Sequence, residues 1–338
     1  MTASGEPVLE VEHLAVSFET RHGPAEVVSD VSFSVGAGET VALVGESGSG
    51  KSVTALSIMR LLDTGGSVSG GRVRLQSRDL VGLSEREYRN IRGREIGMIF
   101  QDPTTCLDPV YTVGHQIVEA LQVHTDLSKK AAKARAVELL DMVGIPDPSR
   151  RVHSYQHQMS GGQRQRVMIA MALACSPTLL IADEPTTALD VTVQAQILAL
   201  LQKLQGETGT AQLLITHDLA VVAETARRVV VMYAGNVVEQ GPAKEVLEDP
   251  QHPYTQALLK SMPGVATNRN ERLAAIEGVV PTARNMPRGC RFAPRCEHAM
   301  ELCVTDAPDL VEWMPSHETR CWLRDPNVAP ERAETIRA

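Results

Sequence analysis

From Gly45 to Ser52 the chain reads Gly-Glu-Ser-Gly-Ser-Gly-Lys-Ser, which fits the pattern G-x-x-x-x-G-K-[S/T]. Gly45, Gly48 and Gly50 let backbone N–H groups turn inward around phosphate oxygens, with Ser47 and Ser49 between them. Lys51 neutralises the outer phosphates and the Ser52 hydroxyl ligates Mg²⁺. The helix starting at Lys51 adds the positive end of its dipole. A second chemical grouping closes the apolar run Leu179-Leu180-Ile181-Ala182 with two acids, Asp183 and Glu184. Open parallel sheets present ligands at the C-terminal ends of their strands. There Asp183 can hold Mg²⁺ through water, and Glu184, one residue on, can polarise a water for attack on a phosphate. Two adjacent acids alone would read as an ordinary surface pair. The glycine-rich loop gives them their meaning.

Two single residues fit the same reaction. Gln101 ends the apolar stretch Ile96 to Phe100, where a neutral amide senses both Mg²⁺ and the attacking water. His217 ends Leu213 to Thr216, where its imidazole reaches the terminal phosphate. Each alone is a common strand-end residue, and their order and spacing carry the argument. Met159-Ser160-Gly161-Gly162-Gln163 is the most specific signal, a turn that opens a helix. Its N–H groups and the Ser160 hydroxyl make a second anion site. A chain with one phosphate loop has little local use for another, but two copies facing each other would give each nucleotide one loop from each chain.

The elements that must position these residues alternate in type. Val8 to Phe18 and Glu26 to Val35 flank the polar turn Arg21-His22-Gly23-Pro24, a hairpin-type sheet. Thr40 to Val44 is a buried strand leading into the phosphate loop, followed by a helical pattern from Val53 to Leu62. Gly71 to Leu75 and Ile96 to Phe100 read as strands, and Pro103 to Gln158 as helical. Helices from Gly162 to Cys175, Val193 to Gln205 and Leu219 to Arg227 separate apolar strands at Leu179 to Ala182, Gln212 to Thr216 and Val229 to Met232. Such alternation predicts a parallel sheet covered on both faces. His153 and His157, four apart, read as structural members of a polar turn.

Composition limits what this chemistry serves. A net charge of −8 supplies no overall basic field for nucleic acid. The longest apolar run, Val167 to Cys175, is well short of the ~18 residues of a membrane-spanning helix. No basic start leads into an apolar stretch near Met1, so no secretory signal is expected. Residues 263–338 hold eight of the nineteen prolines, both tryptophans, ten arginines and no lysine, which marks a boundary near Met262. Residues before Pro7 and after about Asp325 are expected to be loose ends. Four of the six cysteines lie within 263–338, at Cys290, Cys296, Cys303 and Cys321. Tetrahedral thiolate sets suit Zn²⁺ or an iron–sulfur cluster, and a segment this small needs a staple; unliganded thiols are the plain alternative. Arg288, Arg291, Arg295 and Arg320 are near enough in sequence to offset the charge of such a centre.

The ordered set Gly45–Ser52, Gln101, Ser160–Gln163, Leu179–Glu184, Ala188-Leu189-Asp190 and His217 resembles the full complement of an ABC-type ATPase, over about Val8 to Gly241. The resemblance implies a P-loop (RecA-like) α/β core over 1–262, with an antiparallel β subdomain and a helical subdomain at about 103–165. It implies head-to-tail dimers that sandwich two ATPs, Asp190 at the dimer contact, Phe18 stacked on adenine, and a helical insert that carries motion to a permease. Met168 to Leu173, Ile181 to Asp190, Met232 to Gly235, His252 to Thr255 and the tail Cys290 to Cys296 are similar to the ATPase subunits of dipeptide and oligopeptide importers, whose Cys-rich C-terminal extension, here 263–338, leans the metal expectation toward [4Fe–4S]. Met159 and Gln156 depart from the commonest residues of that subfamily. The resemblance further implies a second ABC ATPase subunit, two integral-membrane permeases, an extracytoplasmic peptide-binding protein, and a peripheral place on the cytoplasmic face of the membrane. Nickel or another small cargo is an alternative within this class. A non-transport ABC ATPase, or a kinase-like P-loop enzyme that leaves Ser160–Gln163 unexplained, are alternatives outside it.

Overall fold

The computed structural model describes residues 6–187, 189–261, 276–325 and 328. Ala188 and the expected boundary at Met262 lie outside those residues, as do 1–5 and nearly all of the expected loose end beyond Asp325. Twelve strands occur among them: β1 (Leu9–Thr20), β2 (Gly23–Val35), β3 (Thr40–Val44), β4 (Gly66–Leu75), β5 (Arg78–Asp79), β6 (Ile96–Ile99), β7 (Leu179–Asp183), β8 (Ala211–Thr216), β9 (Arg228–Tyr233), β10 (Asn236–Pro242), β11 (Val311–Met314) and β12 (His317–Thr319). The described residues fall into two compact units, one drawn from 1–9, 35–40 and 74–215, the other from 10–34, 41–73 and 216–338.

In the first unit β6, β7 and β8 run parallel with β7 in the middle, Met98 opposite Ile181 and Ile181 opposite Leu213. β7 and β8 are buried along their whole length, as expected of strands covered on both faces. Between β6 and β7 the chain is helical, as its pattern predicts, with the longer pieces at Val113–His124, Lys129–Met142 and Gly161–Ala172 packed on one another. Thr112 and Ser128 start the first two by accepting the N–H groups of His115 and Ala131, each at 3.3 Å. Ala132, Ala136, Leu139 and Leu140 form the buried stripe of the second.

In the second unit β3 lies parallel to β9, Leu43 opposite Val230, and β10 pairs antiparallel with β9. The sheet is therefore mixed. The cysteine-bearing segment joins it: β12 pairs with β10, Glu239 opposite Thr319, and β11 pairs with β12. β2, β1 and β4 form a separate sheet in that order. The helix after the phosphate loop spans Lys51–Ile58, shorter than its pattern predicts at the C-terminal end, because Arg60 turns left-handed at φ 51°.

One aromatic knot closes the core of this unit. Phe292 meets Tyr233 edge-on at 5.2 Å and Tyr254 at 5.4 Å between ring centroids. Burying such a ring stabilises by about 2–3 kcal/mol, so the C-terminal segment is anchored by its own apolar contacts. Beside it Glu239 is fully buried and satisfied: its carboxylate accepts the N–H groups of Gln251 and His252 at 2.6 and 2.9 Å and pairs with His317 Nε2 at 2.8 Å. Burial pulls the His252 pKa down to about 4, so at neutral pH its Nδ1 accepts the Tyr254 N–H at 3.0 Å.

Candidate functional site

The expected site residues divide between the two units. Phe18, Gly45–Ser52, His217 and the four tail cysteines belong to the second; Gln101, Ser160–Gln163, Asp183, Glu184 and Asp190 belong to the first.

The phosphate loop leaves β3 at Gly45, whose φ is 150°. A Cβ there would lie 2.2 Å from the Met232 carbonyl oxygen, so only glycine lets the loop pass β9 so closely. Gly50 caps the following helix with no side chain of its own over the first turn. Lys51 is buried and its Nζ donates to the carbonyls of Gly45 and Glu46 at 2.8 and 2.9 Å. A buried cation at the start of a helix, on a glycine-rich loop of backbone N–H groups, is the setting that receives an anion, so these residues fit a phosphate. Ser49 is buried, whereas Ser47 and Gly48 are exposed at the loop's crest. Phe18 is half-buried on β1, and its ring lies against Gly66, where a Cβ would come within 2.7 Å. His217 follows β8 as an exposed residue.

In the first unit Glu184 follows β7 with φ 44°, a left-handed conformation that a non-glycine residue holds only when its surroundings enforce it. Its N–H is tied to the Ile215 carbonyl at 2.9 Å. Its Oε2 accepts from Gln101 Nε2 at 3.0 Å and from Thr187 Oγ1 at 2.8 Å. Gln101 and Glu184 therefore form one group, with Thr187 as a member that no sequence pattern singled out. Asp183 is buried at the end of β7, opposite Ile215.

Ser160 has a role inside its own helix. Its hydroxyl accepts the Gln163 N–H at 3.3 Å and the Gln163 Oε1 accepts the Ser160 N–H at 3.2 Å, a capping box. Gly161 is exposed, while a Cβ on Gly162 would be 2.7 Å from Val193 Cγ1. The turn thus packs on the start of helix Val191–Thr208, which Asp190 caps by accepting the Val193 N–H at 2.9 Å. Gln156 is buried, and its Nε2 donates to the Leu107 carbonyl, so it pins the short helix that follows Gln101.

The four tail thiols are gathered. The Cys290 N–H donates to the Cys303 carbonyl at 2.8 Å. Burial, reinforced by the other three thiols, pushes Cys321 up to about 12, and burial likewise raises Cys290 and Cys296. Among the described residues, however, no three His, Cys, Asp or Glu side chains are grouped so as to hold a metal ion. Three of the four nearby arginines are engaged elsewhere. Arg291 donates to the Ala234 carbonyl, Arg320 pairs with Asp30 at 2.7 Å, and Arg295 pairs with Glu46 at 2.8 Å. The last pair, with Tyr254 Oη accepting the Glu46 N–H at 2.8 Å, binds the tail to the phosphate loop. The His252-Pro253-Tyr254-Thr255 motif marked that place without revealing its partner.

The ABC transporter family matches residues 28–187, and the family described as oligopeptide/dipeptide transporter, C-terminal region, matches 238–303. The chain is 51% identical to the oligopeptide transport ATP-binding protein OppD of Bacillus subtilis (strain 168), over 98% of this chain and 93% of that one. It is 51% identical to the dipeptide transport ATP-binding protein DppD of Escherichia coli (strain K12), over 93% of this chain and 96% of that one. Among solved structures it is similar to a dimeric ATP-binding cassette in a post-hydrolysis state with ADP and Pi. The TM-score is 0.63 and the identity 30%, over 70% of this chain and 98% of that one.

Proposed function

Because the chain belongs to the ATP-binding proteins of ABC transporters, in their oligopeptide/dipeptide branch, we propose that it powers the import of peptides. It is an ABC-type ATPase coupled to transport, and that role implies a membrane permease as partner and pairing of two ATPase subunits. The observation that carries the peptide reading is the match through the C-terminal region as well as the cassette, at about half identity over nearly the whole chain. Among the described residues no helix is long and apolar enough to cross a membrane. As the ATPase of an importer the chain works, in this reading, from the cytoplasmic surface of the membrane.

The proposed chemistry uses the motif residues as follows. Lys51 and the N–H groups of Gly45–Ser52 bind the β- and γ-phosphates, and Phe18 offers its ring to adenine. The Ser52 hydroxyl and Asp183, with Gln101 sensing it, would hold Mg²⁺, which would offset charge on the phosphate oxygens. Glu184 accepts a proton from the attacking water, Gln101 and Thr187 fix its carboxylate, and His217 steadies the γ-phosphate. Ser160–Gln163 of one subunit close on the nucleotide of the other, with Asp190 at the contact. We place a second, different ATPase, two permeases and an extracytoplasmic peptide-binding protein around it.

The test is recovery of tagged chain from detergent-solubilised host membranes, with the co-purifying proteins identified. Two permeases, a second ATPase and a peptide-binding protein are the expected companions. A nickel-binding protein in place of the last transfers the role to that cargo. Ribosomal or DNA-repair proteins without a permease overturn the transport reading.

We also propose that Cys290, Cys296, Cys303 and Cys321 take up a metal centre, [4Fe–4S] or, failing that, Zn²⁺. Four soft donors within electrostatic reach of one another support it, although they must draw closer and deprotonate to ligate. Anaerobically purified protein is then expected to carry stoichiometric iron with a broad visible absorbance band, or zinc without one. Protein free of both metals ends the proposal.

A further inference from the structure

Glu46, the second residue of the phosphate loop, is held through its N–H, its carbonyl and its carboxylate. Its N–H donates to Tyr254 Oη at 2.8 Å, and its carbonyl accepts from Lys51 Nζ at 2.9 Å and from the Ser49 N–H at 3.2 Å. Its carboxylate takes both ends of the Arg295 guanidinium, Nη1 to Oε2 at 2.8 Å and Nη2 to Oε1 at 3.2 Å. Arg295 arrives from 249 residues further along the chain, and its side chain is only 3% exposed. Its other donor positions are also engaged: Nε donates to the Glu277 carbonyl at 2.8 Å and Nη2 to the Ile276 carbonyl at 3.0 Å. Nη1 also reaches Tyr233 Oη at 3.2 Å. A bidentate, charge-assisted pair with little access to water is the strong kind, and its cation has nowhere else to turn.

The hold through Lys51 is the one that a phosphate competes for, because the ammonium has only three hydrogens and directs them at the carbonyls of Gly45 and Glu46 and at Ser49 Oγ. Once Lys51 turns to the phosphate, Glu46 keeps its place through Tyr254, the Ser49 N–H and Arg295, and of these only Arg295 carries a charge. An uncompensated Glu46 carboxylate would also stand in the loop meant for a polyanion, and like charges at that range repel strongly where water is scarce. We propose that Arg295 is a positioning residue for nucleotide binding: the C-terminal extension supplies the cation that neutralises Glu46 and holds the phosphate loop in shape for the polyphosphate of a nucleotide. This rests on reading Gly45–Ser52 as the nucleotide site.

The experiment is equilibrium binding of MgATP to the full-length chain, with KM and kcat for ATP measured alongside. Arg295→Met, which keeps the stem and loses the charge, is expected to bind about tenfold more weakly and raise KM, with kcat within about twofold. Adding Glu46→Gln removes the stranded carboxylate, so the double variant recovers to within about threefold of the parent. A merely structural arginine would not be rescued by that second change. Binding of Arg295→Met at parental strength, or a double variant no better than the single, overturns the proposal. Should Arg295→Met fail to fold, Arg295→Lys, which keeps the charge and loses the fork, is expected to bind about threefold more weakly, and unchanged binding in it overturns the proposal equally. Lys51→Ala is measured in the same series: if it too binds as the parent does, the reading of the loop has failed, and not only the role of Arg295.

Discussion

Replacing Glu184 by Gln lowers steady-state ATP turnover by about 10²–10⁴-fold and leaves MgATP affinity within about twofold, the range expected when a general base is removed without its shape. The side chain is already aimed. Its backbone sits at φ 44°, and its Oε2 is fixed by Gln101 Nε2 and Thr187 Oγ1 at 3.0 and 2.8 Å. Glutamine keeps an oxygen that can accept from both donors, so the local structure survives, but the amide cannot take a proton from water at neutral pH. Binding is spared because the phosphate contacts assigned above come from the loop and Mg²⁺, and the change removes a negative charge near an anion. Phosphate release and equilibrium MgATP binding, measured on the same preparation, check both halves. Turnover at the parental rate would move the base elsewhere, with His217 the next residue to test.

Lys51→Ala is the change with the largest expected effect on binding. Lys51 is 6% exposed, and its ammonium donates to two loop carbonyls at 2.8 and 2.9 Å. Charge-assisted contacts to phosphate contribute about 1.5–3 kcal/mol each, so losing two of them weakens MgATP binding by at least about 10²-fold. The same change removes a buried cation. The desolvation it relieves offsets the hydrogen bonds it loses, and the unliganded protein is expected to melt within a few degrees of the parent. Calorimetric titration with MgATP, paired with thermal unfolding without nucleotide, separates the two effects. Undiminished binding would place the phosphates away from Gly45–Ser52.

What could be read from the chain and what could not divide along a physical line. β3, β7, β8 and β9 are short apolar runs with a chemical residue at the end, and a parallel sheet buries such runs on both faces, so their position follows from the sequence. β10 escaped notice because Glu239 and Gln240 interrupt it. Both are buried, and their partners are far away: His317 for Glu239 and Glu318 for Gln240. The glycine-rich loop, the paired acids and the Ser160 turn were legible because each is a local pattern. Gln101 and Glu184 were both legible, but their hydrogen bond joins residues 83 apart, and Thr187 looked like any threonine beside them. The pairing of Glu46 with Arg295 had no local trace at all, and the arginine looked more useful beside thiolates than beside a phosphate loop.

β12 lies along the margin of β10, and β11, four residues long, finishes the sheet with Glu312 in its midst and Pro315 just after it. An open strand margin invites a second molecule to dock its own backbone there, whereas a short, charged and proline-ended one discourages it. The C-terminal segment is thus a stopper against self-templating as well as an appendage. A cassette trimmed to its catalytic half for laboratory convenience would bare the main-chain rungs of β10 and the apolar socket of Phe292 together, and the shorter polypeptide would be the stickier one.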